Sequence, residues 1–473
     1  MVLRLFNTMT RKKEVFEPIE KGKVRFYSCG QTVYSDMHIG NARAYASWDV
    51  LKKYLLYKGY DVFHVQNFTD VGHLVGDVDV GAEDKILKSA KEKKMQPMAL
   101  VEKYIADFFK DIDDLNIMRA DIYPRATGHI LEMQEMIKVL LEKKHAYIID
   151  GNVYYDITSF PKYNNLFGMN LLKSGGKARV EKDPNKRHIK DFALWIKATK
   201  GHIMRWPSPW SVGYPGWHIE CSAMSIKYLG EHFDIHCGGK DHIYVHHPNE
   251  IAQSEGYTGK KWVNYWLHNE FLLINGEKMS KSKGNYYTAR EAINEWGGEV
   301  VKMFLISSHY RTASNYTKKN LETAKKNLEK FYTTLNLIKN SEGGSKTNLK
   351  KEIEILKRKF EVAMDDDLNT PLALKEIYEF MKKVNKNLDN KKEILNKAKE
   401  TILLLGRTLG LELKEKKKEI EIDPLIKIII DLRSEFRKKK DYEKSDKIRE
   451  KLLKLGIELK DEDEKTTYLI KKF

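Results

Sequence analysis

The sequence predicts an α/β fold: a parallel sheet broken by an insertion, followed by a helical bundle and a small C-terminal domain. Three observations predict it. Residues 23–67 read strand, loop, helix, strand; the alternation resumes after residue 206, beyond a stretch of different character; and past Tyr316 the apolar residues fall at helical spacing almost to the end. At 473 residues the chain exceeds the roughly 250–300 at which one hydrophobic core stops growing, so several domains are expected.

In the first segment Val24, Phe26 and Ser28 alternate as a strand requires. Ala42 to Tyr57 carries the apolar spacing of a helix that Gly59 stops, and Val62 to Val65 is the next strand. Such a βαβ unit leaves a crevice at the carboxyl ends of its strands, where α/β folds bind nucleotides, so a Rossmann-type nucleotide-binding sheet is expected. From about Arg119 to Arg205, Gly175-Gly176, Pro184 and many lysines mark an insertion. Phe233 to Ile235 then reads as a strand, Glu250 to Gly256 as helix, and Phe271 to Ile274 as a strand closed by the Asn275-Gly276 hairpin signal. The expected domains are 1–118 and 206–265 for the two halves of the nucleotide-binding sheet, 119–205 for the insertion, 266–315 for a lysine-loop region, 316–415 for the bundle and 416–473 for the small domain.

A formal charge of +17 favours polyanionic partners, although a generally lysine-rich composition gives the same total. Hydrophobic residues make up 41% and charged residues 32%, which suits a soluble globular chain. No apolar run approaches the ~18–20 residues of a membrane span, and Met1 to Lys13 lacks a signal-peptide pattern. A cytoplasmic protein without a membrane association is expected. Cys29, Cys221 and Cys237 are odd in number and widely spaced, a pattern of thiols available to metal rather than a disulfide framework.

Two short motifs sit at strand-to-loop junctions. His38-Ile39-Gly40-Asn41 precedes the first helix, so backbone N–H groups at that helix start can meet phosphate while His38 and Asn41 add side-chain donors. Lys278-Met279-Ser280-Lys281-Ser282 follows a strand and a tight turn and presents two lysines. Either alone is weak: a capping histidine or a basic surface loop explains it. Together, in this order and in one chain, they resemble the HIGH and KMSKS motifs of class I aminoacyl-tRNA synthetases. The resemblance implies attack of an amino-acid carboxylate on the α-phosphate of ATP, then transfer of the aminoacyl group to tRNA. It assigns His38, Asn41, Lys278 and Lys281 to stabilising the phosphate charge, with Mg²⁺ accompanying ATP. Asn41 stands where the class usually has a second histidine.

Cys29, Cys221, His246 and Glu250 are candidate metal ligands. The last two are spaced i, i+4, which places them on one face of a helix beginning near His246. Two sulfurs, an imidazole and a carboxylate suit zinc, but no CxxC pair is present, and isolated cysteines are usually small buried hydrophobes. The flanking runs Phe26-Tyr27-Ser28-Cys29-Gly30, Pro215 to Met224 and His246 to Glu255 resemble the cysteinyl-tRNA synthetase family. By that resemblance these four residues hold one Zn²⁺ that binds the substrate thiolate, with His247 as the competing imidazole. Thr69, Trp217 and His236 are then expected to line the cysteine site, and Gly40, Gly238, Gly239, Asp241 and Lys281 to contact ATP. A hydrophobic pocket separates near-isosteres by only ~10², whereas zinc prefers thiolate to a neutral hydroxyl and so filters cysteine from serine chemically. Cys237 departs from the family, and a packing role is expected for it.

Phe360 to Leu374 resembles the start of the family's helical anticodon-side domain, where Asp365, Asp366 and Asp367 are expected to cap and turn. Asp431 to Arg433, Asp441 to Leu453 and Gly456 to Leu459 resemble its small terminal domain, with Tyr468 offered for stacking on an unpaired base. The lysine runs at 416–418 and 438–440 are solvated faces or RNA contacts. A monomer with ATP, L-cysteine and cysteine tRNA as partners is expected. The rival readings are a ligase joining cysteine adenylate to a small amine, which would not need the basic helical tail, and a non-catalytic RNA-binding relative, which would be free to lose Lys278 or a ligand.

Overall fold

The structure, a computed structural model, describes residues 2–75, 83–167, 185–280, 284–414, 422–462 and 465–470. The chain divides into two compact units, Met1–Leu413 and Lys414–Phe473.

The first unit opens on an antiparallel hairpin, β1 (Arg4–Asn7) and β2 (Lys12–Val15). Strand β3 (Lys23–Thr32), helix α1 (Ile39–Tyr57) and strand β4 (Asp61–Thr69) form the βαβ unit, β3 and β4 pairing in parallel. Helices α2 (Lys85–Glu92), α3 (Pro97–Asp114) and α4 (Ile130–Glu142) follow. The insertion then builds its own antiparallel sheet from β5 (Ala146–Ile149), β6 (Asn152–Tyr155), β7 (Phe192–Lys197) and β8 (Gly213–Pro215). This sheet reaches past residue 205, because Trp195 to Lys197 pair with Gly213 to Pro215. Helix α5 (Ile219–Leu229), strand β9 (Phe233–Gly239), helix α6 (His246–Thr258) and strand β10 (Val263–Asn269) complete the main sheet, ordered β10-β9-β3-β4 with every pair parallel. Strand order reverses between β3 and β9, and the crevice at the carboxyl ends of those two strands is the topological switch point.

Parallel strands covered on both faces read as continuous apolar runs. Phe233 to Cys237 of β9 is accordingly buried throughout, and Cys237 sits in the core opposite Ser28 and Leu267. Helix α1 is buried on most of its surface because elements pack on both sides of it; Lys302 and Asp49, both fully buried, pair at 2.6 Å across one side.

Next, β11 (Leu272–Ile274) and β12 (Glu277–Lys278) form a two-residue hairpin. Asn275 and Gly276 both take positive φ, 49° and 88°, as a type I′ turn requires. That turn sets Lys278 opposite Leu273. Helices α7 (Ala289–Trp296) and α8 (Gly298–Ile306) lead to β13 (Ser314–Tyr316), and then to the bundle α9 (Lys318–Asn340), α10 (Leu349–Asp365), α11 (Thr370–Asn385) and α12 (Lys392–Thr408). The second unit holds α13 (Ile422–Lys438), α14 (Tyr442–Lys454) and the hairpin β14 (Ile457–Glu462) and β15 (Lys465–Ile470). Its small core is Ile426, Ile430, Leu452 and Leu459, beside a two-pronged Arg433–Asp461 pair at 2.7 and 2.8 Å. Tyr468 packs half-buried against this core. Lys438 to Lys440 are exposed, and residues 416–418 lie outside the described residues.

The acidic run between α10 and α11 does more than cap and turn. Asp365 accepts from the Tyr54 hydroxyl of α1 at 2.7 Å, and Asp366 pairs with Lys13 at the surface. Asp367, fully buried, accepts from Phe6 N–H (2.9 Å), the Tyr310 hydroxyl (2.7 Å) and Arg311 Nε (2.7 Å), tying the bundle to the N-terminal strand and to the segment before β13. Its φ of 62° is a conformation asparagine also tolerates. Asp367→Asn therefore keeps shape and backbone but weakens a charged hub, at a cost of about 2–3 kcal/mol. A lowered thermal midpoint beside an unmoved one for the exposed Asp366→Asn checks it; equal shifts would refute the hub.

Candidate active site and metal centre

A cleft of ≈ 370 Å³ occupies the switch point. His38, Gly40 and Asn41 line it from the start of α1, Gly238, Gly239 and Asp241 from the end of β9, Lys278 from the β11–β12 hairpin, and Cys29 and Trp217 from its inner end. Lys281 lies outside the described residues.

His38 is the N-cap of α1, its Nδ1 accepting from the Asn41 N–H at 3.0 Å. That bond fixes the neutral ring with its proton on Nε2. A Cβ at Gly40 would lie 3.0 Å from this ring, so any larger residue there would press on the histidine where it folds back over the helix start. The Asn41 side chain donates to Gln31 Oε1 at 3.0 Å. One amide N–H of residue 41 thus serves a neighbouring side chain, while the residue also lines the cleft. Gly238 also has a reason that sequence did not suggest: a Cβ there would come within 2.6 Å of the His247 ring and 2.9 Å of His242. Its missing side chain makes room for histidines. The Lys278 ammonium stands 4.5 Å over the Phe271 ring, a cation–π contact that parks it at the cleft edge.

Behind the cleft lies a cluster of ligand-type atoms. Cys29 comes from the end of β3, Cys221 from the first turn of α5, and His246 and Glu250 from the first turns of α6. Their donor atoms lie within 4.8 Å of one another. Cys221 Sγ is 3.6 Å from His246 Nε2, which is 3.0 Å from Glu250 Oε1. A second set, Cys29, His236, His247 and Glu250, meets the same limit; Cys29 Sγ is 3.3 Å from His247 Nε2, and His236 Nε2 is 2.8 Å from Glu250 Oε2. The two sets share Cys29 and Glu250. The outer ring nitrogens are held as well: His246 Nδ1 lies 2.7 Å from His218 Nδ1, and His247 Nδ1 2.7 Å from His268 Nε2. Thr69 is buried, donating to Glu220 Oε1 at 2.5 Å and accepting from Asn67 Nδ2 at 3.3 Å.

Burial pushes the Cys221 thiol well above its usual range, helped by its hydrogen bond with Cys29 and the charge of Glu250. Burial acts on Cys29 too, yet the bond with Cys221 and the His247 and His242 imidazoles outweigh it and hold that thiol well below its usual range. Burial opposes ionisation of Glu250, but His236 and His246 bring its carboxyl down to about 2. Glu250 Oε1 is buried, with the His246 imidazole as its near neighbour. Two sulfurs, one of them held low by its imidazole neighbours, side by side with an imidazole and a carboxylate in a buried site, are the donor set of a tetrahedral soft-metal site. The residues present fit a metal ion.

Sequence reasoning missed His73. Its ring stacks on Trp217 (centroids 4.0 Å apart, 12° between planes), and its nitrogens meet Thr32 Oγ1 at 3.1 Å and Lys85 Nζ at 2.7 Å. A lone histidine in a loop gives no periodic signal, although it stands only four residues beyond Thr69.

Among the described residues no helix is long and apolar enough to cross a membrane. Residues 15–326 match the family described as tRNA synthetases class I (C) catalytic domain, and residues 359–414 match the DALR domain. A cysteine–tRNA ligase from Desulfitobacterium hafniense is 43% identical over the whole of both chains. One from Pyrococcus horikoshii is 44% identical over 99% of each. Among solved structures, Mycobacterium tuberculosis methionyl-tRNA synthetase bound by methionyl-adenylate superposes with a TM-score of 0.61 at 14% identity, covering 82% of this chain and 92% of that one, a likeness of fold.

Proposed function

The chain belongs to the cysteine–tRNA ligase family of class I aminoacyl-tRNA synthetases, and on that premise we propose that it activates L-cysteine with ATP and esterifies the 3′ end of cysteine tRNA. In the first step the cysteine carboxylate oxygen bonds to the α-phosphorus as the bond to pyrophosphate breaks. In the second, a terminal ribose hydroxyl bonds to the carbonyl carbon, AMP leaves with the electron pair, and the hydroxyl proton goes to its phosphate. No general base is needed for activation, since the carboxylate is already ionised.

Cys29, Cys221, His246 and Glu250 would hold Zn²⁺, which supplies a soft Lewis acid for the substrate thiolate and leaves serine's hydroxyl unrecognised. We favour this set over the one through His236 and His247 because its second sulfur suits zinc better. His38 Nε2–H, the start of α1, Lys278 and Lys281 would face the phosphates, with Mg²⁺ on ATP. Asp241 would accept from the ribose, beside the backbone of Gly40, Gly238 and Gly239. Trp217, Thr69 and His236 would bound the cysteine. Residues 316–415 and 416–473 would bind tRNA, and the protein would act in the cytoplasm as a monomer.

The observation that carries this is the ligand cluster at the inner end of a cleft that also bears His38 and Lys278. ATP–pyrophosphate exchange tests it, on protein of measured zinc content before and after chelation. Exchange with cysteine and not serine, lost with zinc and restored by it, is expected. Equal exchange with both amino acids would remove the zinc filter, and no exchange from folded, zinc-loaded protein would remove the enzyme.

A further inference from the structure

A second cavity, ≈ 460 Å³ in volume, adjoins the nucleotide cleft; Tyr34, Ser35 and Lys85 line both. Helix α2 forms one wall, fixed to the loop before α1 by the Ser89 hydroxyl donating to the Tyr34 carbonyl at 2.8 Å. Lys88 and Lys93 stand on that wall, exposed, and Lys93 Nζ lies 5.1 Å from the ring centre of Tyr104. Tyr286 lines the cavity as well, its ring edge-on to His38 at 6.0 Å. Three lysines thus face two carboxylates, Asp36 and Glu92, among three tyrosines. From this annex a chain of contacts runs inward: Lys85 to His73 at 2.7 Å, and His73 stacked on Trp217 at 4.0 Å.

Cations interleaved with aromatic rings, in a space separate from the one that takes a nucleoside triphosphate, are the chemistry that receives single-stranded nucleic acid. Bases stack on the rings and phosphates meet the ammonium groups. We propose that this annex binds the unpaired 3′-terminal nucleotides of tRNA, with Lys88 and Lys93 on the backbone phosphates and Tyr34 and Tyr286 against a base, so that the terminal ribose enters the cleft beside Trp217. The proposal rests on the tRNA-charging function above and names the subsite for its second substrate.

The test is the double variant Lys88→Ala/Lys93→Ala in the full chain, both positions being exposed and outside the activation machinery. Cysteine-dependent pyrophosphate exchange should stay within about twofold of wild type, while kcat/KM for charging a cysteine tRNA transcript falls about tenfold or more with a shallower salt dependence. A transcript lacking its unpaired 3′ end should compete equally well against tRNA in variant and wild type. Unchanged charging, or exchange falling by the same factor as charging, would overturn the annex. Wild-type protein that exchanges pyrophosphate but charges no tRNA would overturn the function it rests on, a result seen before any variant is compared.

Discussion

Cys221→Ala should lower cysteine-dependent pyrophosphate exchange by about 10²–10³-fold, through loss of the metal rather than of the fold. Cys221 Sγ sits 3.6 Å from His246 Nε2 in a fully buried position, so truncation removes one of four donors and leaves His246 and Glu250 facing a void. Metal content measured beside exchange separates two outcomes. Loss of both places the ion among Cys29, Cys221, His246 and Glu250. Retained metal and near-normal exchange would sink that set and move the ion to Cys29, His236, His247 and Glu250, the other quartet the fold brings together. His236→Ala is the converse probe: it spares every donor of the first set but takes a hydrogen bond from Glu250 Oε2. Loss of such an outer partner typically weakens metal affinity by about 10–100-fold, a smaller effect than loss of a donor. His218→Ala, which removes the contact to His246 Nδ1, should fall in the same intermediate range.

Legibility in the sequence followed the range of the interaction. The i, i+4 pair His246 and Glu250, the β11–β12 turn and the βαβ unit are local patterns, and the structure has them within a few residues. That Cys29 and Cys221, 192 positions apart, approach the same imidazoles is a product of strand order, which no spacing rule reports; resemblance to a family supplied it. The remaining surprises are all long-range. Asp367 looked like a turn residue because its neighbours in sequence are acidic and polar, but its partners are Phe6, Tyr310 and Arg311. Asn41 donates to Gln31, a partner on another element that its four-residue motif does not announce. That Tyr468 packs on the small core is likewise hidden, because a two-residue alternation does not say which face of a hairpin meets a helix. Gly238 looked like a ligand contact, and its crowding by His242 and His247 depends on where α6 begins.

Lys278→Ala should lower kcat of exchange by about 10²–10³-fold while leaving the KM for cysteine nearly unchanged, the loss expected when one donor to a developing phosphate charge is removed. The hairpin explains why this lysine is placed for such a task. Asn275 and Gly276 fix a tight turn, Lys278 pairs across it with Leu273, and its ammonium rests over Phe271 at the rim of the cleft. The contact is one a flexible side chain can leave, so the cation is held at the cleft rim without an acidic partner among its described contacts that would have to be displaced. If the contribution is made mainly in the transition state, Lys278→Arg should recover part of kcat by keeping the charge, though its planar fork cannot reproduce the geometry of an ammonium. A variant that instead raised the KM for ATP at constant kcat would show Lys278 binding ground-state triphosphate. Catalysis would then fall chiefly to His38 and the start of α1, and His38→Ala should become the more damaging of the two substitutions.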